Sequence, residues 1–352
     1  MKKILLVGNY GAGNFGDDLL YLAIRNSLSL VGNFELKVMC PGSQQDFPLP
    51  PAGIRSLFSF NFVKAISAIK NSDVVVFGGG GLFNPEEWYS LFIWGQVVIM
   101  AKFFKKPVYL MANSFSPKFS SFLKLILSNI DLISVRDSLS RRNLAQYSIE
   151  APVRTTSDLA LLLDSAVFDS KIHVFDHDKF IVLNLRDYPI LSTENLVRTV
   201  CQIIDYVLKN SCYAVYLLPF DSSDIVILKQ IQSLYSGNGK VFLVPFEKRV
   251  CYAAISKCSG VVSTRLHVGI SGVLCHKPLF VLSYSSKVSG FFSDLLSPLF
   301  IASFDDDCTE IDNSLASFVE CVDRNKLNYD LLDVEALKKK SNLNIRLLND
   351  FG

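Results

Sequence analysis

From residue 4 to residue 282, short apolar runs alternate with longer segments of helical periodicity. No other feature constrains the fold as tightly. The runs at 4–8, 35–40, 73–77, 107–112, 131–135 and 153–156 predict strands, with amphipathic helices between them, as at 17–31 and 61–71. The pattern pauses over 157–179, where Asp164, Ser165, Asp169, His173, Asp176, His177 and Asp178 make a polar stretch. It resumes at 180–185, 213–217, 241–244, 260–263 and 278–282. Strands that alternate with helices imply a mostly parallel sheet covered on both faces. A chain of 352 residues exceeds the usual size of one core, so two domains of roughly 150 residues are expected. The pause sets their division at 1–170 and 171–352. Residues 308–350 predict helices that brace the second domain or cross back to the first.

Thirty-five basic and 33 acidic residues leave a net charge of only +2. That excludes nucleic acid as a general partner, so any anion must be recognised by locally placed groups. Eight cysteines are scattered with no CxxC pair, a spacing that predicts reduced, mostly buried thiols in a cytoplasmic protein and no zinc site. Ile4-Leu5-Leu6-Val7 is too short for a signal peptide and reads as a first strand. Gln96 and Lys102 interrupt the stretch from Trp88 to Phe104, so a buried helix is expected there rather than a span of about 20 apolar residues. Phe58, Phe60, Phe62, Trp88, Trp94, Phe103 and Phe104 nevertheless lie near Lys64, Lys102, Lys105 and Lys106. Aromatic and basic groups mixed in this way suit a peripheral contact with the inner face of a membrane.

The first strand opens into Gly8-Asn9-Tyr10-Gly11-Ala12-Gly13-Asn14-Phe15-Gly16-Asp17. Its GxGxxG letters match a dinucleotide site, but Asp17 and Asp18 would repel a pyrophosphate at that helix start. The second strand also ends in Met39-Cys40-Pro41, without an acid for a ribose hydroxyl. Two further readings stand beside the dinucleotide one. Asp17 caps the helix while the glycines make turns, or Asn14 and Asp17 bind a neutral polyol and accept a hydroxyl proton. Gly78-Gly79-Gly80-Gly81 after the third strand either lets a ligand approach the main chain or relieves a crowded turn. Arg136 ends another strand, with Asp137 or Ser138 as the next helix cap; it either pairs with a nearby acid or clamps a carboxylate or phosphate.

In the second half, Arg186 follows one strand, and Ser263-Thr264-Arg265-Leu266-His267 ends another. Ser283-Tyr284-Ser285-Ser286-Lys287 ends a third. Arg265, His267 and Lys287 thus gather three potential cations at one sheet edge, an arrangement that is costly without an anion to receive them.

Gly11 through Asp17, Gly78 through Gly81, Val135-Arg136-Asp137 with Ser140, Asp158 with Ala160, Arg265-Leu266-His267, and Tyr284 with Lys287 occur in this order. Together they resemble the polysaccharide pyruvyl transferase family. The resemblance implies an α/β fold of two Rossmann-like domains facing a central cleft, as in glycosyltransferases of the B class. It also implies transfer of a pyruvyl group from phosphoenolpyruvate, a co-substrate, onto a sugar as a ketal, with no cofactor and no metal. The acceptor would be a hexose of a surface polysaccharide or of its lipid-linked precursor. Arg265, Leu266, Arg136 and Lys287 would bind phosphoenolpyruvate and His267 would deliver a proton. Asp17 would act on the acceptor hydroxyl, with Asn14, Gly79 and Gly80 as further acceptor contacts. Departures from the family pattern are Met111–Pro117 without its glycines, Asp221 in place of a histidine, and Ser285-Ser286 before Lys287. Two other functions fit the same residues: a B-class glycosyltransferase using a nucleotide sugar, with Tyr252 or Phe246 against the base, and a non-catalytic carbohydrate-binding protein.

Overall fold

Both halves of the chain build a sheet in which every strand pairing is parallel. The computed structural model describes residues 1–49, 60–85, 88–169, 172, 175–186, 193–284 and 286–351. The first sheet comprises β1 (Lys2–Val7), β2 (Phe34–Met39), β3 (Val74–Gly80), β4 (Val108–Asn113), β5 (Leu132–Val135) and β6 (Val153–Thr155), in the order β2-β1-β3-β4-β5-β6. Its helices are α1 (Phe15–Val31), α2 (Phe60–Lys70), α3 (Trp88–Phe103), α4 (Ser121–Leu127) and α5 (Ser138–Ala145). The second sheet comprises β7 (Phe180–Asn184), β8 (Ala214–Leu217), β9 (Val241–Leu243), β10 (Gly260–Ser263), β11 (Leu279–Ser283) and β12 (Ile301–Ser303), in the order β12-β11-β10-β7-β8-β9. Around it lie α6 (Thr193–Asn210), α7 (Asp224–Leu234), α8 (Lys248–Lys257), α9 (Leu266–Leu274), α10 (Ser286–Phe292) and α11 (Cys308–Asp323), and α12 (Leu331–Asp350) closes the chain. Eleven strands fall where the apolar runs predict them. The unpredicted twelfth, β12, is a three-residue edge strand, too short to carry a pattern.

The alternation works because β3 and β4 are buried along their whole length, as strands covered on both faces must be. Leu5, Val7, Val75, Phe77, Val108 and Leu110 pack in one core with α2, α3 and α4.

Two compact units result: residues 1–162 with 336–352, and residues 163–335. The division expected after residue 170 therefore falls after Leu162, and the last helix does not stay with the second half. Polar chemistry explains the return of α12. Ser341 and Asn344 are fully buried. Asn344 Oδ1 accepts from Ser134 Oγ at 2.6 Å, Asn344 Nδ2 donates to the Ser157 carbonyl at 3.2 Å, and Ser341 Oγ donates to the Asp158 carbonyl at 2.8 Å. Buried polar groups need such partners, and the first sheet supplies them. Lys2 Nζ adds a bond to the Leu348 carbonyl at 3.0 Å.

Each sheet has one place where successive connections diverge. The chain leaves β1 outward to β2 and returns on its other side to β3; likewise it leaves β7 for β8 and β9 and returns to β10. Ligands of open parallel sheets bind outside the strand C-termini at such points. They correspond to the ends of β1 and β3 in one unit and of β7 and β10 in the other.

All eight cysteines are free, but only Cys40, Cys251 and Cys258 are buried; Cys212 and Cys308 are exposed. The expectation of mostly buried thiols is too strong. Burial pushes the Cys251 and Cys258 thiols up to about 12, far from the thiolate that reacts. A thiol-specific dye is expected to label Cys212 and Cys308 in the native protein and to reach Cys251 and Cys258 only on unfolding. Mass mapping of the labelled peptides checks this.

Candidate functional site

At the β1 end, the loop folds around its own polar side chains. Asn14, in extended backbone, caps α1 by accepting from Gly16 N at 2.9 Å, and Asp18 Oδ1 accepts from Gly11 N at 2.7 Å. The cap is therefore Asn14 and not Asp17, and Asn14 Oδ1 is engaged in holding the helix. Asp17 instead accepts from Asn9 Nδ2 at 3.1 Å. A Cβ built on Gly80 would stand 3.8 Å from Asp17 Oδ1, which puts the carboxylate over the end of β3. Asp17 and Gly80 are thus brought together at the first divergence point.

The glycine run has a packing explanation at its start. Tyr10 is fully buried and donates to the Gly78 carbonyl at 2.7 Å. A Cβ on Gly78 would lie 2.3 Å from that hydroxyl, closer than any side chain can approach. Gly79 and Gly80 have φ of 70° and 83°, left-handed backbone that favours glycine.

Arg136, just past β5, is buried and committed. Its Nη1 donates to Asp158 Oδ2 at 3.0 Å and its Nη2 to Ser114 Oγ at 3.1 Å, while Nε lies 3.9 Å from Asp137 Oδ2. Asp137 caps α5 through Ser140 N, and Ser140 Oγ accepts from Phe115 N at 3.1 Å. The Val135-Arg136-Asp137…Ser140 and Asp158…Ala160 pattern is therefore one connected network. Four buried polar atoms in this part of the unit, Asn113 Oδ1, Ser116 Oγ, Arg136 Nε and Ser157 Oγ, have no hydrogen-bond partner among the described residues.

In the second unit, β10 ends at Ser263 and α9 begins at Leu266, so Arg265 sits at the helix cap position. Its guanidinium turns inward. Nε donates to Asp224 Oδ2 at 2.8 Å and Nη2 to Asp224 Oδ1 at 2.6 Å, a bidentate pair, with Asp221 Oδ2 at 3.7 Å. Asp224 also accepts from the amides of Phe220 and Asp221. Its burial pushes the carboxyl above the ordinary aspartate value, opposed by Arg265 and the Phe220 amide. The backbone N of Arg265 donates to Asn184 Oδ1 at 3.1 Å, joining the ends of β7 and β10.

This corrects the expected cationic edge. Arg265 and Arg136 each carry a fully buried carboxylate partner, Asp224 and Asp158, because a buried charge must be compensated. Arg136 belongs to the first unit, and Arg265, Leu266 and His267 to the second. Leu266 is 7 % exposed and packs into the core. His267, half-buried in the first turn of α9, is next to it. Lys287 falls in α10, with its side chain outside the described residues.

A second cation at the same edge carried weaker sequence signals. Arg186, two residues beyond β7, donates from Nη1 to Tyr284 OH at 2.8 Å and lies 5.4 Å from the centre of that ring. Its backbone N donates to Thr264 Oγ1 at 2.7 Å. Arg186, Thr264 and Tyr284 come from the ends of β7, β10 and β11. The one sequence signal for Arg186 is its place directly after an apolar strand; Asp224 had none beyond its nearness to Asp221.

The comparisons with known proteins agree with this topology. No curated protein matches the sequence. UDP-GlcNAc 2-epimerase from Neisseria meningitidis, solved with UDP-GlcNAc, is similar in fold at 14% identity and a TM-score of 0.64, covering 100% of both chains. The same enzyme from Methanocaldococcus jannaschii gives 13% and 0.62, again over 100% of both chains. A glycosyltransferase from Rickettsia africae gives 11% and 0.63, over 99% of this chain and 97% of that one. These are folds of the glycosyltransferase-B type, the class to which the two parallel sheets belong. The polysaccharide pyruvyl transferase family model matches residues 14–286, from the Asn14 cap of α1 to the start of α10. Because that span includes the Arg136 network and the Arg265–His267 turn, the chain belongs to the polysaccharide pyruvyl transferase family.

Proposed function

We propose that this transferase uses phosphoenolpyruvate to build a pyruvate ketal on a hexose of a surface polysaccharide or of its lipid-linked precursor. The observation that carries the reading is the second unit's divergence point, where Arg186, Thr264 and Tyr284 come together at strand ends and His267 stands in the first turn of the helix that follows Thr264. Phosphoenolpyruvate bears about three negative charges near neutral pH and needs a local cradle. With Arg265 held by Asp224, that cradle is Arg186, reinforced by Lys287, with Arg265 fixing the turn that presents His267. Arg136 serves the first unit in the same way, as a positioning residue.

The chemistry balances on these groups. His267 delivers a proton to the methylene carbon of the enol ester, and the central carbon becomes cation-like. A sugar hydroxyl adds there, and the proton it loses restores the one that His267 gave. The bond to the phosphate oxygen then breaks, a second hydroxyl of the same sugar closes the ketal, and its proton leaves with the inorganic phosphate. The first unit's edge, with Asn9, Asp17 and the Gly79–Gly80 backbone, has the hydrogen-bonding character of contacts to a neutral sugar.

Two measurements test the reading. Phosphoenolpyruvate is expected to raise the melting temperature, and UDP- and GDP-sugars are not. Inorganic phosphate is expected to appear only when phosphoenolpyruvate and an acceptor glycan are both present. A shift with a nucleotide sugar alone would give the chain to the glycosyltransferase reading, and no shift with either donor to a carbohydrate-binding one.

A further inference from the structure

We infer that the outer face of α3 and α4 docks on an anionic lipid surface. The α3 sequence is apolar around its circumference except at Ser90, Gln96 and Lys102, and such a helix is normally buried on all sides. Here only one side is. Leu91, Trp94, Val97, Val98 and Ala101 enter the core. Trp88, Phe92, Ile99 and Phe103, spaced by four, seven and four residues, form an outward stripe, and Phe103 is 80 % exposed and Trp88 73 %.

α4 extends the same surface. A Cβ on Gly95 would sit 2.8 Å from Ile126 and 3.7 Å from the ring of Phe122, so the two helices lie side by side where α3 has no side chain. Phe119, Phe122 and Leu125 are exposed there as well. An apolar patch of this kind marks an interaction site.

The charge pattern selects the partner. Residues 88–130 contain five lysines and no aspartate or glutamate, although the whole chain is nearly balanced. Lys105 follows Phe103, Lys118 precedes Phe119, and Lys124 lies between Phe122 and Leu125; all three are exposed. The other two, Lys102 and Lys106, are half-buried, and Lys102 donates to Asp131 at 2.7 Å. A second copy of this chain would set these lysines against one another, with no acid of 88–130 to receive them. Lipid phosphates would receive them, while Trp, Phe and Ile enter the boundary between headgroups and acyl chains. No described helix is long and apolar enough to cross a membrane, so the contact is peripheral.

Vesicle binding by this face needs neither donor nor turnover. The full-length protein is sedimented with phosphatidylcholine vesicles with and without phosphatidylglycerol. Binding is expected on the anionic vesicles only, and weakened by high salt. The pair Lys105→Gln/Lys124→Gln should weaken it on the order of 10-fold or more, about the contribution of two basic groups at such a surface. The pair Trp88→Ser/Phe103→Ser should also lose it, with circular dichroism unchanged because both side chains are exposed. The proposal is overturned by no binding to either vesicle, by equal binding to both, or by full binding in both variants. It is also overturned by a concentration-dependent dimer, seen in ultracentrifugation, that Trp88→Ser/Phe103→Ser abolishes; that result would assign the face to a second copy.

Discussion

Asp224→Ala is expected to destabilise the protein by about 3–5 kcal/mol, the cost of leaving a buried charge without its partner. For a unit of this size that is a fall in melting temperature of roughly 6–20 °C. Asp224 is fully buried and takes both branches of the Arg265 guanidinium, at 2.6 and 2.8 Å. The Phe220 and Asp221 amides also end on it, and Arg265 Nε reaches its other oxygen at 3.1 Å, so alanine removes five hydrogen bonds and leaves a cation facing a cavity. Removing both charges should be milder: Asp224→Leu/Arg265→Met is expected to recover much of the loss, since an apolar pair can replace a buried ion pair nearly neutrally. Thermal unfolding of the single and double variants measures the coupling. A fall of under about 1 kcal/mol for Asp224→Ala, the range of a surface pair, would show that Arg265 finds solvent or another partner. Arg265 would then be available to an anion after all.

His267→Ala is the variant in which stability and turnover should part company. The side chain is half-buried in the first turn of α9, where Arg265 holds the cap position and Ser271 Oγ donates to the His267 carbonyl. Unfolding should shift by no more than about 1 kcal/mol. Phosphate release from phosphoenolpyruvate with acceptor should drop by about 10²–10⁴-fold, the usual contribution of a general acid. The expected signature is a loss in kcat with donor binding, read by thermal shift, retained. Turnover at the wild-type rate would remove His267 from the mechanism. Loss of donor-induced stabilisation together with turnover would instead make it a binding residue.

The sheets were legible because parallel strands buried on both faces must be continuous apolar runs, and such runs are visible one residue at a time. Val74-Val75-Val76-Phe77 is an example. β12 was not, because three residues at an edge carry no period. The Arg265-Leu266-His267 turn was legible as a strand-to-helix transition, but the state of its arginine was not. Asp224 lies 41 residues before Arg265, and Asp158 lies 22 residues after Arg136, and nothing local joins either pair. Three cations counted at one edge became a set in which Arg265 was already balanced.

The chain's own pattern, then, determined two parallel α/β units, the order of their elements, and which strand ends carry Arg136, Arg186, Arg265 and His267. These follow from hydrophobic period and chain order, both local properties. Tertiary structure alone decided which carboxylate neutralises which arginine, that α12 returns to the first sheet through Ser341 and Asn344, and that one side of an apolar helix faces outward. Each depends on which groups meet across long stretches of sequence, where compensation of buried charge and polarity chooses the partner and one-dimensional spacing does not.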